Sequence, residues 1–89
     1  MYELQTITNE LEIFDIAFGT FIKAARLKRG LTQDDLAKRF GVSQSHINRW
    51  EKGNRNIDFN EAIKLCTILR VNVQDFLDDY VYYCMENAY

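Results

Sequence analysis

Proline is absent from the 89 residues, and the four glycines all lie between Gly19 and Gly53. With neither residue clustered, no flexible linker divides the chain, and a length of this order holds one small domain around one modest core. Apolar runs are short, and no basic-then-apolar leader opens the chain at Met1–Thr20. The expectation is therefore a soluble, unexported, cytoplasmic protein without a membrane span. Cysteine is scarce. Cys66 and Cys84 stand far apart and only His46 could join them, so no metal site is expected, and Cys66 reads as a core thiol suited to a reducing compartment. Reactive constellations are missing as well: no paired carboxylates in a cleft pattern, no Ser–His–Asp or Cys–His set and no phosphate loop. These absences argue against an enzyme and against a cofactor. No aromatic-interleaved basic sheet motif suggests an RNA reader.

Basic residues are absent from both ends. All 11 Lys and Arg lie from Lys23 to Arg70, where only Asp34, Asp35, Glu51, Asp58 and Glu61 oppose them. The centre carries a local charge of +6, whereas residues 1–22 and 71–89 carry −4 each. A net charge of −2 therefore conceals a basic centre between acidic flanks, the footprint of a domain that meets a polyanion with its termini turned away.

The stretch from Leu31 to Gly53 has the strongest local signals. Thr32 with Asp35 three places later forms a reciprocal helix cap, Leu36, Ala37 and Phe40 recur at helical spacing, and Gly41 provides a cheap helix end. Ser43 can cap the next helix at once. Small Ala37 permits close approach of that helix, whose Ile47 and Trp50 form its inward edge. Two short helices around a tight turn describe a helix-turn-helix. A preceding helix is expected from about Ala17 to Lys28, with Phe18, Phe21, Ile22, Ala25 and Leu27 inward. Lys28 and Arg29 at its end suit the helix dipole and DNA equally. After Gly53, Asp58 and Glu61 cap a helix to about Arg70 with Phe59, Ala62, Ile63, Cys66 and Leu69 on its buried stripe. Asn72 caps a last short helix from Val73 to about Asp78. Residues 1–17 permit either helix or extended structure, with helix favoured in their second half.

The run Thr32-Gln33-x-x-Leu36-Ala37, the turn Gly41-Val42-Ser43 and the ending Ile47-x-x-Trp50-Glu51-x-Gly53 resemble the helix-turn-helix of the Cro/CI (XRE) family of phage and bacterial repressors. The likeness covers roughly Phe18 to Leu77. It implies an all-α, five-helix phage-repressor-like domain at residues 18–78, with an N-terminal extension at 1–17 and an apolar tail at 79–89.

At 100° per residue, with Ile47 and Trp50 inward, the 43–52 helix turns Ser45, Asn48, Arg49 and Lys52 outward, with Gln44 near its exposed start and His46 at the margin. Gln and Asn can pair with adenine N6 and N7, and Arg with guanine O6 and N7. Gln44, Ser45, Asn48 and Arg49 are therefore the candidate base readers, and the resemblance places Gln44, Ser45 and Arg49 at positions that commonly touch base edges. Thr32, Gln33, Ser43, His46, Lys52, Asn54 and Arg55 are the candidate phosphate contacts. The resemblance also implies an ion pair between Arg26 and Glu51 that fixes the reading helix.

The leading expectation is a sequence-specific, double-stranded-DNA-binding transcriptional regulator, a repressor by resemblance, acting as a homodimer on a two-fold operator. Ile68, Tyr80, Tyr82, Tyr83 and Met85 are the candidate dimer contacts, because the tail is too apolar to be left in water without cause. The tail can alternatively fold back on its own domain. A second reading is an antitoxin-like interaction module whose apolar termini clamp a toxin while the helix-turn-helix regulates its own promoter.

Overall fold

The computed structural model describes the backbone of residues 2–87 and the side chains of residues 13–86. Within them lie five helices and no strand: α1 (Tyr2–Lys28), α2 (Gln33–Phe40), α3 (Gln44–Lys52), α4 (Phe59–Leu69) and α5 (Val73–Asn87). Their junctions follow local rules. Thr32 accepts the Asp35 N–H at 3.0 Å and its own N–H donates to Asp35 Oδ2 at 2.9 Å, which satisfies two orphan donors at the start of α2. Asp58 and Glu61 repeat the device at α4. Ser43 accepts the His46 N–H at the start of α3, and Asn72 Oδ1 accepts the Gln74 N–H at the start of α5. Gly41 ends α2 at φ +96°, a conformation that carries little steric cost only without a Cβ.

Phe18 and Ile22 from α1, Leu36 from α2, Ile47 and Trp50 from α3, and Leu65 and Leu69 from α4 fill a single core. Such side chains each contribute about 1.5–3 kcal/mol on burial. Gly19 lets α1 cross the end of α3 at backbone distance: a Cβ there would lie 2.8 Å from the Glu51 carbonyl oxygen and closer still to that of Trp50. On the far side of the core, Lys64 reaches from α4 to α2, donating to the Phe40 carbonyl at 2.8 Å with its ammonium 4.3 Å from the Phe40 ring centre.

Several boundaries and faces differ from the sequence expectations. No helix begins at Ala17. α1 runs through that point unbroken, because Phe14 and Ala17 pack on the same core as Phe18 and Phe21 and no residue before Gly19 interrupts the helix. α5 likewise continues past Asp78 to Asn87. Tyr80 extends the inward line of Phe76 by one turn, and its ring meets Phe14 edge-on at 5.2 Å and stacks on Phe76 at 5.5 Å. The buried stripe of α4 is centred on Leu65, Cys66 and Leu69. Phe59 (72% exposed) and Ile63 (38%) fall outside it, Ile68 at the opposite margin becomes half-buried, and Ile57, ahead of the cap, is buried. Leu27 is exposed, one residue beyond the inward position held by Arg26.

Candidate nucleic-acid interface

Helix α3 is fixed from behind. Trp50 is fully buried, its ring 5.0 Å from Phe40 in an edge-to-face contact, and its Nε1–H donates to the Asn56 carbonyl at 3.3 Å. Ile47 is buried beside it. These anchors leave Gln44, Ser45, Arg49 and Lys52 exposed and Asn48 half-buried, so the four candidate base readers share one outer side of α3. Ser43 Oγ and Ser45 Oγ stand 3.2 Å apart.

Behind this surface Arg26 of α1 forms a two-point pair with Glu51, Nε to Oε2 at 2.6 Å and Nη2 to Oε1 at 3.1 Å, and Nη1 donates to the Leu31 carbonyl at 2.7 Å. Both residues are buried, so each charge depends on the other. Glu51 Oε1 also accepts from Gln33 Nε2 at 3.0 Å. Gln33 Oε1 in turn accepts from Gln44 Nε2 and, at 3.3 Å, from Asn48 Nδ2. Gln33, Gln44 and Asn48 therefore form one connected group. Sequence spacing shows Gln33 at a helix start but carries no sign of this linkage, which depends on how α1, α2 and α3 converge.

Thr32 and Ser43 use their hydroxyl oxygens as caps; the Thr32 hydroxyl keeps its hydrogen to donate outward, whereas the Ser43 hydroxyl also shares a hydrogen bond with that of Ser45. Lys52, Asn54 and Arg55 are exposed where α3 leaves its last turn, and Gly53 there adopts φ +74°. Thr32 lowers the Asp35 carboxyl below its usual value by hydrogen bonding, aided by Arg39 and Lys38.

His46, a candidate phosphate contact, is half-buried, and only its Nδ1 side remains for such a role. Its ring packs edge-on to Trp50 at 4.4 Å, and Nε2 is buried without a hydrogen-bond partner, so that nitrogen cannot reach a phosphate. The spacing of His46 and Trp50, four residues along one helix, is the signal that could have revealed the contact. Burial lowers the imidazole pKa first, Arg55 and Arg49 lower it further, and Glu61 opposes them.

The proposed dimer contacts divide. Ile68 and Tyr80 are half-buried against this chain's own core. Tyr82 (64% exposed), Tyr83 (46%) and Met85 (74%) are not, and Val81, Ile13 and Ile16 join them as exposed apolar residues. An apolar groove between α1 and α5 is lined by Ile13, Ile16, Ala17, Tyr80 and Tyr83. Among the described residues no three His, Cys, Asp or Glu side chains converge as a metal-binding group, and no helix is long and apolar enough to cross a membrane.

A short α2, a tight turn and an α3 whose polar face is held outward define a helix-turn-helix of the kind that reads a DNA groove. The helix-turn-helix family matches residues 22–76 of this chain. The chain belongs to that family, in its Cro/CI (XRE) branch of DNA-binding transcriptional regulators. An uncharacterized HTH-type transcriptional regulator of Archaeoglobus fulgidus is 36% identical over 56 residues, covering 63% of this chain and 80% of that protein. Among solved structures, the restriction-modification controller protein C.AhdI of Aeromonas hydrophila is 30% identical, with a TM-score of 0.63 over 68% of this chain and 92% of that one. The clp gene regulator ClgR of C. glutamicum is 25% identical, with a TM-score of 0.68 over 71% of this chain and 81% of its own.

Proposed function

We propose that this regulator is a cytoplasmic, sequence-specific repressor that binds double-stranded DNA as a homodimer on a two-fold operator, with α3 in the major groove. The observation that carries the reading is the outer side of α3, where Gln44, Ser45, Asn48 and Arg49 are presented together over a buried Trp50 and a paired Glu51. Gln44 and Arg49 contact bases, while Thr32, Gln33, Ser43, Lys52, Asn54 and Arg55 flank the helix as phosphate contacts. One short helix reads few base pairs, so two copies supply the affinity, with half-sites about 34–36 Å apart. Exposed Ile13, Ile16, Val81, Tyr82, Tyr83 and Met85, from the acidic segments at both ends of the chain, form the surface on which the copies meet.

In-vitro selection of bound duplexes at a stated salt concentration tests the reading. A palindromic consensus with half-sites one turn apart is the expected result. Salt-sensitive binding with no consensus would leave only a general DNA binder, and a monomer that protects a single half-site would remove the homodimer.

A further inference from the structure

We propose that Glu51 sets the hydrogen-bonding polarity of the reading surface, acting through Gln33 to turn the amides of Gln44 and Asn48 into adenine-selective contacts. The proposal rests on the base-reading role of α3 and adds to it a positioning residue that touches no DNA.

The inference follows from donor and acceptor counts. An amide side chain can present either its carbonyl oxygen or its NH2 group to a neighbour, and only its surroundings decide which. Gln33 has one neighbour that leaves no choice. Glu51 is a carboxylate held by Arg26 at 2.6 and 3.1 Å, and an ionised carboxylate only accepts. Gln33 must therefore turn its NH2 inward, where Nε2 donates to Glu51 Oε1 at 3.0 Å. Its carbonyl oxygen is thereby committed to the other side.

That oxygen makes the same demand on the next pair. A carbonyl oxygen can be approached only by donors, so both Gln44 and Asn48 give it their NH2 groups. Each spends one amide hydrogen and keeps one hydrogen and its carbonyl oxygen. A remaining donor beside a remaining acceptor matches N7 and the N6 amino group of adenine. With the amides reversed, Gln44 and Asn48 would turn their carbonyl oxygens toward Gln33 and lose this match. One buried negative charge thus fixes three amides, Gln33 directly and Gln44 and Asn48 through it, and Arg26 holds that charge in place.

The charge can be removed while the packing is kept. Replacing a buried ion pair by apolar residues of similar volume is often tolerated, whereas removing one member strands the other. The test therefore compares the wild-type chain, Arg26→Met/Glu51→Leu, Gln33→Met and the triple variant. Each is checked for helicity and cooperative melting, then taken through duplex selection and competition binding at one salt concentration. The wild type is expected to select adenine at the pair met by Gln44 or Asn48. The Arg26→Met/Glu51→Leu variant should fold and lose about tenfold of that discrimination, within the range of a good bidentate contact, while non-specific duplex affinity changes little. Adding Gln33→Met should cost no further discrimination, because the groups act in series.

A folded Arg26→Met/Glu51→Leu variant with unaltered adenine preference overturns the relay and leaves base reading intact. If that variant does not fold, Gln33→Met decides with the ion pair undisturbed: retained preference overturns the relay, and lost preference supports it. A wild-type chain that selects no sequence overturns base reading itself, and the relay with it.

Discussion

Gly19→Ala sets two known effects of opposite sign against each other. Alanine in a helix interior is favoured over glycine by about 1 kcal/mol, so in an isolated helix the change stabilises. At this position the added Cβ would lie 2.8 Å from the Glu51 carbonyl oxygen and nearer still to that of Trp50. Both obstacles are backbone, so no side chain can rotate away, and α1 must move off α3. Overpacking a tight contact costs roughly 1–3 kcal/mol and occasionally more. Separation would also loosen Phe18 and Ile22 of α1 in the core, so we expect a net loss of about 2–3 kcal/mol. For a domain of this size that lowers Tm by roughly 10–20 °C. Gly41→Ala is the control: its φ is +96° but no atom lies within 4 Å of the added methyl, so only the backbone conformation costs, about 1–2 kcal/mol. Urea melts followed by circular dichroism, at one protein concentration so that self-association contributes equally, give the comparison. A Gly19→Ala chain as stable as wild type, or a larger cost at Gly41, would refute the close crossing of α1 and α3.

Arg49→Ala should weaken operator binding by about 1–3 kcal/mol and relax preference at one base pair; uniform weakening on all duplexes would make Arg49 a phosphate contact. His46 titrates below its ordinary pKa of 6.5 in the folded chain, mainly because it is buried. Between the folded value and 6.5 the unfolded chain binds more protons, so stability contributed by neutral His46 falls as pH drops through that window. Urea stability measured from pH 7.5 downward should show a shallower decline for His46→Gln than for wild type, and parallel curves would refute this. Val81→Ser with Met85→Ser alters two exposed residues one helical turn apart on α5, and sedimentation should show a folded monomer where the wild type is expected to sediment as a dimer. Unchanged mass would place the interface elsewhere.

The helix-turn-helix was legible because its signals are local. Thr32 with Asp35, Gly41, Ser43 and Gly53 each act within a few residues, and the structure uses all of them as caps or turns. Which way Trp50 faces was also readable from helical spacing. The long helices were harder. The ends of α1 and α5 depend on Phe14, Phe76 and Tyr80 meeting across the fold, and no local residue announces that. On α4, Phe59 is large and apolar yet exposed, because hydrophobicity alone does not say where the neighbouring helices stop. The linkage among Glu51, Gln33, Gln44 and Asn48 joins residues 11 to 18 apart on two helices, beyond any single-helix periodicity.

Gly19 also divides α1 into two arms. The helix rests there on the Trp50 and Glu51 carbonyls, with Ile13 six residues to one side and Arg26 seven to the other. At 1.5 Å per residue the two arms are each about 10 Å long. Gly19 thus sits between two differently used ends of one continuous helix: the Ile13 end lines the apolar groove between α1 and α5, and the Arg26 end grips the carboxylate that accepts from Gln33.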